Sequence, residues 1–133
     1  MSYFSSSTSL SGSLATVTYA SKTRDSHNQY SSGVYTIPVS GTYQTNAGIA
    51  VSGTFSLNST LDLQIQQTGS STQITEYKVY AGGIETALTA TASNMFYCLA
   101  GDTLKVQVSS SATSPVIVSS NSQNYFSICR VGN

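Results

Sequence analysis

Apolar and polar residues alternate along most of this chain with a period of two. Tyr43, Ala47, Ile49 and Val51 fall on one parity, Gln44 and Asn46 on the other. Successive side chains of a strand point to opposite faces, so the pattern predicts a long antiparallel strand from Thr42 with one face buried. Leu61, Leu63 and Ile65 alternate in the same way with Asp62, Gln64 and Gln66. Thr68-Gly69-Ser70-Ser71 then turns the chain. Ile74, Tyr77, Val79 and Tyr80 belong to the following strand, which Gly82-Gly83 ends. Residues 84–99 form another long strand. Beyond Gly101-Asp102, Leu104, Val106 and Val108 point inward, and Lys105 and Gln107 outward. Ser13–Ala20, Val34–Val39, Pro115–Ser119 and Asn124–Val131 supply the remaining strands. Pro38 has no N–H to donate and belongs at a sheet edge or bulge. Residues 21–33 read as a surface loop and 109–114 as a polar loop. No helical periodicity interrupts the series. The class is all-β, as a sandwich, jelly roll or barrel.

Two segments break the alternation. Met95-Phe96-Tyr97-Cys98-Leu99 is apolar on both faces, and Tyr125–Val131 largely so. A sandwich strand has only one face in its own core. The other would leave apolar surface in water at roughly 25 cal/mol per Å². The expectation is burial of the second face against another chain, through Met95, Tyr97, Leu99, Tyr125, Cys129 and Val131. Covering by the N-terminal segment is the alternative.

Composition narrows the function. At 133 residues the chain fits one domain with one two-layer core. Residues 1–12 read as a flexible arm or linker and 13–133 as the domain. Five Lys plus Arg stand against five Asp plus Glu. Without a basic surplus to displace counterions, nucleic acid is excluded as a partner. No run of about 18 apolar residues exists, so no membrane insertion is expected. The first residues lack the charged and apolar regions of a signal peptide. A phage structural protein needs none, because it assembles in the host cytoplasm and leaves by lysis. A surface made polar by Ser, Thr, Asn and Gln suits an extracellular or virion protein. Cys98 and Cys129 read as small buried apolar residues. With His27 far away, they make no metal set.

Catalytic chemistry finds little support. No Gly-x-Ser-x-Gly elbow is present, and His27 beside Asp25 lacks a defined nucleophile. Glu76 and Glu85 flank a turn and could approach as a carboxylate pair, but nothing near them points to a raised pKa. Gly82-Gly83 lacks the Lys and helix of a phosphate loop. No catalytic residue, cofactor or metal is expected.

Gly33, Tyr35, Pro38, Gly41 and Tyr43 match a Gly-x-Phe/Tyr-x-x-Pro-x-x-Gly-x-Tyr run. Phe96, Cys98, Gly101, Asp102, Leu104, Val106 and Val108 match a later apolar strand, Gly-Asp turn and alternating strand. With the aromatic-rich Tyr125–Val131, this order resembles the C1q/TNF-like domain over about residues 27–131. One departure is Ile128, where the family usually has Gly. The resemblance implies a two-sheet antiparallel jelly roll of ten strands that forms a homotrimer. The Met95–Leu99 and Tyr125–Val131 strands would then lie in the inner sheet at the trimer interface. The family's calcium sites need clustered carboxylates, and the five acids here are scattered. Asp102 reads as a turn residue accepting nearby backbone N–H groups.

The polar, charge-poor composition is similar in style to fibre-tip domains of phages or to bacterial spore-surface members. That makes the leading expectation a trimeric binding or capping domain on a viral fibre or virion surface. Its partners would be itself, other virion or fibre components, and a host cell-surface glycan or protein engaged multivalently. The loops at 22–32, 68–73, 81–86 and 109–123 are candidate contacts. There Tyr30 and Tyr80 could stack on sugars while Asn28, Gln29 and Gln73 supply hydrogen bonds. The alternatives are a purely structural trimerisation or capsid-decoration role, and a bacterial spore-surface or secreted protein. Asn58-Ser59-Thr60 has the form of a glycosylation acceptor, relevant only on a secretory route.

Overall fold

The computed structural model describes residues 2–3, 8–119 and 122–133. Its strands are β1 Ser2–Tyr3, β2 Thr8–Ser9, β3 Ala15–Thr16, β4 Ser21–Lys22, β5 Tyr30–Ser31, β6 Val34–Thr36 and β7 Gly41–Phe55. They continue as β8 Thr60–Thr68, β9 Gln73–Tyr80, β10 Glu85–Cys98, β11 Thr103–Ser110, β12 Thr113–Ile117 and β13 Tyr125–Gly132. All pairings are antiparallel and fall into two sheets. In sheet A, β7 is central. β10 follows one edge of it from Cys98 opposite Gly41 to Glu85 opposite Phe55. β13 and β12 share the other edge, and β1, β2 and β4 extend the sheet. In sheet B the order is β5-β6-β11-β8-β9, with β3 beside β6 on the same edge of β11.

The period-two pattern builds the core between the sheets. Tyr43, Ala47, Ile49 and Val51 of β7 are buried, as are Leu61, Leu63 and Ile65 of β8 and Leu104, Val106 and Val108 of β11. Phe55, Phe96, Phe126 and Ile37 fill the layer between them. Gly33 is required where β6 begins. Its φ of +86° is left-handed, and a Cβ there would stand 2.9 Å from the Val17 carbonyl oxygen.

Three expectations change in detail. Of Ser13–Ala20 only Ala15–Thr16 is strand, with Val17 N–H still donating to the Val106 carbonyl at 2.9 Å, because the chain next crosses from sheet B to sheet A, where β4 joins β1. Val17 and Tyr19 are buried during that crossing. The strand at Val34–Val39 stops at Thr36, and Pro38 lies in the link to β7. The polar segment 109–114 is not all loop: β11 runs to Ser110 and β12 starts at Thr113. Hydroxyls hold it, with Ser110 Oγ donating to the Thr60 carbonyl at 2.9 Å and Ser111 Oγ accepting the Thr60 N–H at 2.7 Å. Of the expected arm, residues 1 and 4–7 lie outside the described residues, whereas Ser2–Tyr3 and Thr8–Ser9 pair with β13 and β12. Residues 120 and 121 of the expected loop 109–123 also lie outside.

One end of the sandwich is clasped by Asp102. Its carboxylate accepts from Ser70 N–H and Ser70 Oγ, both at 2.6 Å, from Leu99 N–H at 2.9 Å and from Gln67 Nε2 at 3.0 Å. The Ser70 hydroxyl and amide, joined by the Leu99 and Gln67 donors, overcome its burial and hold it at about 2. The β8–β9 turn, the β10–β11 turn and the start of β11 are thereby tied together.

Candidate functional site

The outer face of sheet A gathers the residues expected at a subunit contact. Strand register places them in rows across β10, β7 and β13. Met95, Gln44 and Cys129 form one row. Tyr97 and Thr42 form the next, where β13 bulges at Val131 before Gly132. Neighbouring strands are about 4.8 Å apart, so β10 and β13 lie within about 10 Å of each other across the face. Met95 is 63% exposed, Tyr97 57%, Val131 51% and Leu99 43%, while Phe96 and Cys98 between them are fully buried. The strand is two-faced, with one apolar side in the core and the other open.

A polar row borders this patch. Ser93 Oγ donates to Asn46 Oδ1 at 2.8 Å, and Asn46 Nδ2 reaches Ser127 Oγ at 3.4 Å. One row further, the Tyr125 ring lies over Gly48, where any Cβ would collide with it. Tyr125 is half-buried as a result. Next to the face runs the edge of β10 away from β7, which among the described residues pairs with no further strand. Asn94 takes up part of that edge, its Oδ1 accepting the Met95 N–H at 2.8 Å and its Nδ2 donating to Thr75 Oγ1 at 2.5 Å. The Thr75 contact brings the edge of β9 to the same flank. Tyr77 stands there with half its surface exposed, although its parity faces the core. Sequence reading missed Tyr77 as a surface group, because inward parity on an edge strand does not guarantee cover.

The cysteines separate. Cys98 faces the core, and burial pushes its thiol up to about 11, with Asp102 adding to the shift. Cys129 is exposed on the opposite face, the one expected at the subunit contact, and is not buried within the single chain. β7 lies between their strands, so they do not bridge.

The five residues expected to meet a glycan do not converge. Tyr30 is a core residue, 8% exposed, its hydroxyl accepting the Tyr19 N–H at 2.9 Å. A ring packed there has no face left for stacking, which corrects that expectation. Asn28 accepts from Lys22 Nζ, and Gln29 donates to the His27 carbonyl. Gln73 begins β9, four strand spacings across sheet B from β5 and so roughly 19 Å away. Tyr80, exposed, ends β9 seven residues later, roughly 23 Å along the strand.

The acid and nucleophile candidates are similarly dispersed. Ser26 Oγ contacts His27 Nδ1 at 3.0 Å, but Asp25 turns away, accepting the Gln29 and Tyr30 N–H groups at 3.1 and 3.0 Å. Burial opposes the charge on Asp25, yet these amides and Lys22 lower its pKa. Glu85 accepts the Gly82 N–H, whereas Glu76 lies on the outer face of sheet B against Lys78 at 3.1 Å. Lys78 also reaches Asp62 at 3.6 Å, where burial and then Glu76 raise the carboxyl. Among the described residues no three His, Cys, Asp or Glu side chains gather as a metal site.

No protein-family model and no curated protein matches the sequence. Solved structures do match the fold. The globular domain of zebrafish complement 1qA protein superposes with a TM-score of 0.74 at 17% identity, covering 99% of this chain and 97% of that one. Murine APRIL at pH 5.0 gives 0.70 at 12% identity, over 98% and 95%. Eiger TNF from S. frugiperda gives 0.64 at 13% identity, over 100% and 95%. The fold is the C1q/TNF-like jelly roll.

Proposed function

We propose that this chain is a non-enzymatic homotrimeric binding or capping domain of a viral fibre or virion surface. Three copies close about a threefold axis through the outer face of sheet A. The observation that carries the reading is the exposure of Met95, Tyr97, Leu99 and Val131 together on one face of one sheet. A side chain such as Tyr97 gains far more from a partner than from water. The C1q/TNF-like fold supports a threefold arrangement. The trimer then presents three copies of each loop to a cell-surface glycan or protein, and modest single-site affinity is multiplied by avidity.

A structural reading runs beside this one: the domain registers and caps a trimeric shaft or decorates a capsid. The dispersal of Asn28, Gln29, Gln73 and Tyr80 over both ends of the sandwich favours it. Glycan-array and host-cell binding distinguish the two. The shared premise, the trimer, is tested by Tyr97→Asp. An unpaired charge buried at the contact costs several kcal/mol. Sedimentation is expected to show the variant as a folded monomer while the wild type stays assembled. A variant that assembles like the wild type counts against the interface.

A further inference from the structure

Both arginines of the chain and its only histidine line one cavity. The cavity, of about 500 Å³, opens where the loop before β5 faces the link from β6 to β7 and the end of β13. Arg24 and His27 come from the loop and Arg130 from β13. In a chain with only 8% charged residues, this concentration calls for a reason. Arg24 and Arg130 in the lining, with Lys22 beside it, outnumber Asp25, the one acid among the lining residues, in a chain whose formal net charge is zero. Asp25 is occupied: both its oxygens accept loop amides and Lys22 lies 3.5 Å away. The surroundings are therefore positive.

Ser26 apart, the rest of the lining is largely apolar. Tyr35 and Pro38 supply flat, part-exposed surfaces, and the buried Tyr43 backs them, its hydroxyl donating to the Val39 carbonyl at 2.6 Å. Arg130 uses Nη2 for the Ser40 carbonyl and Asn133 Oδ1, which steadies the guanidinium with further N–H groups in hand. Asp25 braces the loop that carries Arg24 and His27. Cys129 stands where the rim meets the outer face of sheet A.

We infer that this cavity binds an acidic sugar, a pyranose bearing one carboxylate. Arginine's planar fork matches a carboxylate in two parallel hydrogen bonds, which a neutral sugar cannot offer. Ring C–H faces pack on tyrosine and proline, and the volume lies in the range of small-ligand pockets. The inference rests on the binding reading above and gives it a ligand class. It also moves the contact from Asn28, Gln29 and Tyr30 to their neighbours Arg24 and His27.

Sodium glucuronate, titrated into the isotope-labelled full chain and followed by amide chemical shifts, tests this. Glucose and sodium acetate are run separately. Glucuronate is expected to give saturable shifts at Tyr35, Val39 and Ile128, with a millimolar dissociation constant, and each control to bind at least about tenfold more weakly. Arg24→Gln is expected to weaken glucuronate about tenfold with the remaining spectrum unchanged. Arg130→Lys keeps the charge and the fold but loses the fork, and is expected to weaken it several-fold. Absent shifts, acetate binding as well as glucuronate, or wild-type binding by both variants overturns the inference. A trimer that binds cells or glycans unchanged with Arg24→Gln keeps the binding reading and removes the cavity from it. A monomer that still takes glucuronate keeps the cavity and removes the trimer.

Discussion

Asp102 concentrates the physical chemistry of single residues in this fold. Its place after Gly101 marks it as a turn acceptor of backbone N–H groups, and Leu99 and Ser70 supply them. The fully buried Gln67 and the Ser70 hydroxyl are legible only in three dimensions, since they arrive from a turn more than thirty residues earlier. The folded carboxyl titrates at about 2, below its unfolded value, so falling pH binds protons preferentially to the unfolded chain. The clasp contributes on the order of 2 kcal/mol above about pH 4, lost as the pH falls towards 2. Asp102→Asn turns an amide NH₂ toward existing donors. It is expected to lower stability by about 3 kcal/mol at pH 7 and to flatten the acid limb of a denaturant titration. Wild-type stability in the variant would contradict the role given to the carboxylate.

At the level of elements, two-faced apolar strands were readable because alternation is a local property. Met95-Phe96-Tyr97-Cys98-Leu99 carries its own evidence of a second apolar side, which the single chain leaves exposed. Tyr30 was not readable. Its loop context is polar, and only the pairing of β5 with β6 and the contact with Tyr19 bring it inside. Tyr77 fails in the opposite direction, since its strand has correct parity but, among the described residues, pairs with no strand on one flank. The cysteines report directly on the face of sheet A. In the Tyr97→Asp monomer, Cys129 is expected to take up a maleimide within minutes. Cys98, buried and with about one part in ten thousand as thiolate at pH 7, reacts only on unfolding. In the assembled wild type, labelling of Cys129 is expected to slow at least about tenfold. Equal rates in both would mean that the face is open.

For the whole molecule, the glycine, proline and aromatic spacing of Gly33–Tyr43 with the Gly101-Asp102 turn carried the fold into view before any coordinates. Those residues mark places where the backbone turns or approaches itself, as at Gly33 with its φ of +86°. The cavity was not legible, because a site at the end of a sandwich is assembled from loops whose relative positions no local pattern encodes. Arg24, His27 and Arg130 meet across more than a hundred residues of chain for that reason. Threefold assembly is what the exposed face of sheet A and the avidity of the loops both require. Light scattering after size-exclusion chromatography measures it, and the predicted mass is about three times the 14.0 kDa of one chain, stable on dilution. A clean monomer would contradict both the trimer and the assignment of the sheet A outer face as its interface.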